Sequence, residues 1–289
     1  MSFGDRALLM KTIREALELL ESGRATKAFN LFTRLSKSVT QPLLYRKIFR
    51  YRIDSLLRNG NVSAADELIE MELANRPDDG GIANVAAGYH ARLGRTAKAD
   101  RYYLRSLVLR PKSIEAAIEY SRFLAENKDY KKATGILVRT LRLNRRELSP
   151  DRQALSLLYL ELAHIYFARK RFGRAAILYN KVHSQSHWFV YYDQLAESFL
   201  RLNRYEEAYC FSLMNLEFWG EESEGLFLHA KALAGLGRTE EAFDYLSRVG
   251  RRMSERGHTL VLTTSDLPLF SSLIQTGKLA RIENLHIEF

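Results

Sequence analysis

Asn203-Arg204-Tyr205-Glu206-Glu207-Ala208 returns 34 residues later as Gly237-Arg238-Thr239-Glu240-Glu241-Ala242. Each stretch reads as a turn residue, an acidic helix start and an alanine. Weaker versions recur along the chain, anchored on Ala28, Ala65, Ala99, Ala133, Ala175, Ala208 and Ala242, at intervals of 37, 34, 34, 42, 33 and 34. A period of this length marks a stack of supersecondary units, each unable to bury its apolar face alone.

The flanks of the anchors agree in phase. Twelve residues before them stand Ala16, Ile53, Ala87, Ser121, Ala163, Ala196 and Ala230, of which only Ile53 is bulky. Five before stand Gly23, Gly60, Gly94, Lys128, Lys170, Asn203 and Gly237. Four after stand Phe32, Ile69, Tyr103, Leu137, Tyr179, Ser212 and Leu246. Pro77 and Pro111 follow Ala65 and Ala99 by twelve residues. Two facing small residues let two helices approach closely, and large residues beside them fill the gaps. A glycine between the helices can take positive φ and end the first one. A proline after the second cannot continue a helix interior, so a new unit begins there.

With these residues in this phase, the chain resembles the tetratricopeptide repeat family over about residues 9 to 256. It departs by having Ser212 where a large side chain is usual, and by lacking Trp at the start of its helix pairs. The resemblance implies an all-α, right-handed superhelical solenoid of about seven tetratricopeptide helix pairs plus a C-terminal capping segment. Residues 1–8 are a lead-in, 9–256 the seven repeats and 257–289 the cap and tail. The interval of 42 residues predicts a longer loop near 144–152, with Ser149-Pro150-Asp151 as turn and helix start. Thr259 to Thr264 is β-prone, and Ser265-Asp266-Leu267-Pro268 predicts a short capping helix over 267–276. Terminal repeats need such a cover.

Composition restricts the function classes. The 289 residues are 46% hydrophobic and 27% charged, the balance of a globular protein. No apolar run is long enough to span a bilayer. The start, with Asp5 and Arg6 ahead of only four apolar residues, does not read as a secretory signal, so a cytoplasmic protein is expected. The single cysteine, Cys210, excludes an intramolecular disulfide and a cysteine-cluster metal site. Glycine-rich phosphate loops, HExxH and G-x-S-x-G are missing from the sequence. His183 and His187 are spaced for a shared metal but have no carboxylate or cysteine at ligand spacing beside them. No catalytic residue, metal site or cofactor is predicted.

The charge is uneven. Residues 1–150 hold 28 Lys/Arg against 17 Asp/Glu, and residues 151–289 hold 16 against 17, so the formal +10 belongs to the first half. That asymmetry points to an anionic partner. Lys98, Arg101 and Arg105 share one helical face, and Lys132, Arg139, Arg142 and Arg146 share another. The resemblance places both on the convex side, as one basic patch. It places first-helix residues in a concave groove: Lys47, Arg50, Tyr51, Arg58, Asn84 and Arg92 at the N-terminal end, Arg122 with Glu115 and Glu119 in the middle, and Glu161, His164, Asp193 and Glu197 beyond.

Some members of the family clamp a C-terminal carboxylate with Lys, Asn, Asn, Lys and Arg. The corresponding positions here read Ile13, Leu17, Tyr51, Gly81 and Val85, or one repeat on, Arg50, Asp54, Val85, Glu115 and Glu119; that clamp is not expected. The resemblance implies a non-catalytic scaffold or adaptor that binds a protein or peptide, with an acidic element, and assembles or regulates a complex. Two alternatives stand beside it: a nucleic-acid-binding helical-repeat protein using the basic half, and a peripheral subunit of a membrane or secretion assembly.

Overall fold

A computed structural model describes residues 3–146, 151–185 and 191–288. The chain is all-α apart from two three-residue strands. It divides into two compact units, Met1–Leu143 and Asn144–Phe289.

In the first unit, α1 (Phe3–Glu21) and α2 (Ala25–Ser38), α3 (Pro42–Arg58) and α4 (Val62–Asn75), α5 (Gly80–Arg92) and α6 (Thr96–Leu109), and α7 (Ile114–Glu126) and α8 (Tyr130–Arg145) are the four helix pairs. The second unit holds three more: α9 (Arg152–Ala168) and α10 (Phe172–Gln185), α11 (Tyr192–Leu200) and α12 (Tyr205–Trp219), α13 (Ser223–Gly235) and α14 (Thr239–Glu255). Helix α1 starts inside the stretch read as a lead-in. Between α8 and α9, where the longer loop is expected, Asp151 caps α9 by accepting from the Gln153 and Ala154 amides, while Ser149 and Pro150 lie outside the described residues.

The pairs form where the spacing places them, with a small side chain on the first helix at six of the seven contacts and Ile53 at the other. All seven anchor alanines are fully buried, as are the seven residues twelve positions earlier, Ile53 and Ser121 included. The seven residues four positions after the anchors are buried too. Ser212, the small one, is compensated by a neighbour: its hydroxyl lies 2.9 Å from Nδ1 of buried His229 and donates to the Tyr209 carbonyl. Burial, with Arg238 adding to it, pulls the pKa of His229 down to about 4, so the ring sits there as a neutral partner.

Each first helix ends in one device. Gly23, Gly60, Gly94, Lys128, Lys170, Asn203 and Gly237 all have positive φ, between 55° and 77°. The following residue then donates its amide to the carbonyl five positions back, as in Arg24 to Leu19, Arg95 to His90 and Arg238 to Leu233. That is the Schellman ending, which satisfies helix carbonyls otherwise left open. Pro77 and Pro111 sit in the turns between pairs, two residues ahead of Asp79 and Ser113, whose side chains cap α5 and α7.

After α14 the cap begins with β1 (Leu260–Leu262), paired in parallel with β2 (Leu285–Ile287) near the chain's end. The capping helix α15 (Ser271–Gln275) starts later than Ser265 and Asp266 predict. Asp266 is used otherwise: it accepts from the Thr263 amide and hydroxyl and forms a buried ion pair with Lys231 of α13, at 2.8 Å. Leu260, Leu262, Phe270, Leu273, Leu279 and Ile282 pack with Leu226, Ala230, Leu246 and Val249 as one apolar cluster, which covers the last pair.

Two outcomes follow. At Lys128 and Lys170 an L side chain occupies a left-handed backbone that costs about 1–2 kcal/mol without glycine. Lys128→Gly and Lys170→Gly should therefore each raise stability by about 0.5–1 kcal/mol in urea unfolding, after the entropy cost of glycine in the unfolded chain. The second concerns acid. Burial works against the Asp266 carboxylate, but its bonds to Lys231 and Thr263 outweigh this and hold its pKa below the usual range. Its contribution is present above the unfolded value, about 4, and is lost as pH falls through the lower folded value. Asp266→Asn should destabilise the protein at neutral pH and flatten this acid limb in a pH series of melting temperatures.

Candidate functional site

The first unit carries the candidate site. Helices α3, α5 and α7 present successive first-helix faces, and one carboxylate ties them together. Glu119 of α7 accepts from Arg50 of α3 at 3.0 Å and from the Asn84 amide of α5 at 2.7 Å. Burial acts against the Arg50 charge, but Glu119, with Glu115 and Asp54, outweighs it and raises the guanidinium pKa further. Because a carboxylate only accepts, Glu119 fixes which way the Asn84 amide points. The Asn84 side-chain oxygen is then left buried with no donor.

Neighbouring contacts hold this arrangement. Arg46 donates to Asp79 at 2.9 Å while Asp79 caps α5, which joins α3 to the start of the next pair. The Arg46 side chain lies where a Cβ on Gly81 would stand, so the glycine makes room for it. Arg92 pairs with Asp54 at 2.6 Å, Arg58 donates to the Leu20 carbonyl at 3.0 Å, and Tyr51 stacks on Phe32. Arg122 is exposed on α7.

Between these side chains lies a cavity of about 170 Å³, lined by Leu43, Arg46, Lys47, Arg50, Tyr51, Gly81, Asn84, Val85, Arg110 and Glu115. Lys47 and Arg110 have no ion-pair partner among the described residues. A second, more apolar hollow of about 550 Å³ shares Leu43 and Lys47 with it and is lined further by Leu9, Met10, Val39 and Leu44. The first unit thus offers a cationic pocket beside a more apolar one.

Of the residues predicted for the groove, Lys47, Arg50, Tyr51 and Asn84 line this cavity, while Arg58 and Arg92 are bonded to the Leu20 carbonyl and to Asp54. Reading the sequence missed Arg46, Gly81 and Arg110, and the apolar wall from Leu9 to Leu44. Leu43, exposed four residues ahead of Lys47, lines both hollows, and its exposure is visible only once the chain is folded.

In the second unit, Glu161 is buried on α9, and His164 packs against the rings of Tyr179 and Tyr191. Burial, with Glu224 adding to it, raises the pKa of Asp193. Glu197 pairs with Arg201 one turn on, at 2.6 Å. His183 sits among Tyr192 and Phe211, and His187 lies outside the described residues. Among the described residues, no cluster of His, Cys, Asp and Glu is placed to hold a metal, and no helix is long and apolar enough to cross a membrane.

On the basic face, Lys98, Arg101, Arg139 and Arg142 are exposed. Arg105 is half-buried and donates to the Pro77 carbonyl at 2.6 Å, and Lys132 pairs with Asp100 at 2.7 Å. Arg146 lies one residue beyond the end of α8, past the first unit.

No protein-family model matches the chain, and no curated protein matches it. Solved structures do. The C-terminal part of a TPR repeat-containing protein from Cytophaga hutchinsonii aligns with a TM-score of 0.59 at 13% identity, over 82% of this chain and 93% of that one. PilF of Pseudomonas aeruginosa aligns with a TM-score of 0.58 at 15% identity, over 80% and 97%. PilW, described as a widely conserved type IV pilus biogenesis factor, gives 0.56 at 16% identity, over 79% and 98%. The chain has the tetratricopeptide-repeat fold, an all-α solenoid of helix pairs.

The two kinds of groove charge should separate on mutation. Glu119→Ala strips the partner from Arg50 and Asn84 and should cost about 1–3 kcal/mol. Lys47→Glu touches no such bond and should stay within about 0.5 kcal/mol of the wild type in urea unfolding.

Proposed function

We propose that the chain is a non-catalytic protein-interaction scaffold, an adaptor whose first-unit groove holds an extended acidic segment of a partner protein. One observation carries this reading. The cavity offers two cations with no ion-pair partner among the described residues, Lys47 and Arg110, against one carboxylate in its lining, Glu115. Carboxylates of an acidic segment fit the two cations. The walls are already held in place by Glu119 and Asp79, so little ordering cost falls on the scaffold when it binds. The apolar hollow next to it suits a non-polar side chain of the same segment. The occurrence of this fold in a pilus biogenesis factor agrees with a role in assembling a complex. Nucleic acid is less well served, because Tyr51, the aromatic at the cavity, is stacked on Phe32.

The test is capture of partners from the native cell by the full chain, followed by affinity measurement with the purified partner at two ionic strengths. Lys47→Glu with Arg110→Glu should weaken binding at least about tenfold and reduce its salt dependence, mainly through slower association. Wild-type affinity in that double variant, or binding abolished by nuclease, would count against the proposal.

A further inference from the structure

The face of the first unit formed by α6 and α8 has a composition the groove does not explain. Across these two helices the only carboxylate is Asp100. It is consumed: Lys132 binds it at 2.7 Å and the Tyr120 hydroxyl donates to it as well. Lys98 and Arg101 on α6, and Lys131, Arg139 and Arg142 on α8, are exposed and have no acidic partner among the described residues. These five cations are uncompensated and held on regular helices that the buried Ala99, Tyr103, Ala133 and Leu137 fix to the core.

Apolar side chains stand among these charges. Leu104 is 42% exposed and Val108 77% exposed, on the same face of α6 as Arg101 and Arg105. A protein-binding surface concentrates its apolar residues in a centre depleted of charge. Here the two apolar tips stand one turn apart, with Arg101 and Arg105 within one turn of Leu104 on either side. A face that reads nucleic acid would set aromatic rings out for stacking. The ring available on α6, Tyr102, is half-buried and stacked on His90. Cations that remain in the headgroup layer, with short apolar tips that enter the acyl boundary, are what a bilayer surface rich in acidic lipid accommodates.

We infer that the α6–α8 face docks on an anionic lipid bilayer, through Lys98, Arg101, Arg139 and Arg142 with Leu104 and Val108 as insertion points. Docking there leaves the groove, which lies on the first helices, open to its partner.

The experiment is co-sedimentation of the full chain with vesicles of phosphatidylcholine alone, or with about one third phosphatidylglycerol. The chain should bind the mixed vesicles and leave the neutral ones. Arg101→Glu with Arg139→Glu and Arg142→Glu should cut binding at least about tenfold. Leu104→Gln with Val108→Gln keeps the charge and should still cut it severalfold, most visibly at high salt. All five positions are exposed, and an unchanged thermal melt checks that each variant is folded. The inference is overturned by equal binding to both vesicle types, or by a triple reversal that binds like wild type. It is also overturned if the Leu104/Val108 variant binds like wild type, or if a single-stranded oligonucleotide displaces the chain from the vesicles. The groove variant Lys47→Glu, on α3, should sediment like wild type, so the failure of either proposal leaves the other standing.

Discussion

Everything in the chain depends on how closely two helices can approach at the anchor alanines. Ala87 and Ala99 on one helix pair, and Ala196 and Ala208 on another, are side chains of one carbon at zero exposure, which lets the backbones come near enough for the next shell to close around them. That shell is aromatic and aliphatic: Tyr103 against Tyr120 and Phe123 in one unit, Tyr179 against Phe167 in the other. A wider spacing would open these ring contacts and leave voids whose cost grows with their volume. The turns obey the same constraint. A pair this tight needs an abrupt end to its first helix, and the left-handed residue with its five-back hydrogen bond supplies one each time.

This explains which parts could be read from residues alone. The helix pairs were legible because a close contact demands small side chains at fixed separation, and that demand repeats. The turn positions were legible even where glycine is replaced, since Lys128, Lys170 and Asn203 keep phase with the glycines and adopt the same backbone. The cap was legible only in outline. Thr259 to Thr264 reads as a strand and one forms, at Leu260–Leu262. Its partner, Leu285–Ile287, is too far along the chain for local pattern to announce a parallel pairing. Ser265 and Asp266 look like a helix start, yet tertiary contact with Lys231 claims the aspartate and defers the helix.

The groove shows the same division. First-helix spacing places Lys47, Arg50 and Asn84 in one area, and the cavity gathers them. What spacing cannot disclose is which charges remain once the chain folds. Arg50 and Arg92 look as available as Lys47 in the sequence, but each faces an acid on a neighbouring helix. Arg110 follows the last residue of α6, a place that suggests a loop, and it turns into the cavity. A charged residue becomes a binding residue by remaining uncompensated, and that is a property of three helices together.

The Lys231–Asp266 pair also limits how this array could be redesigned. Lys231 lies on α13, the first helix of the last pair, and is almost wholly buried beside Asp266. Grafting another repeat onto α14 would evict the segment around Asp266 and strand an ammonium group in a dry contact, a change that costs several kcal/mol. Lengthening the solenoid at this end therefore requires either a carboxylate at the matching place on the incoming first helix or an apolar residue in place of Lys231. The lysine acts as a terminator written into the surface of the last helix pair: it specifies by charge which segment is allowed to follow.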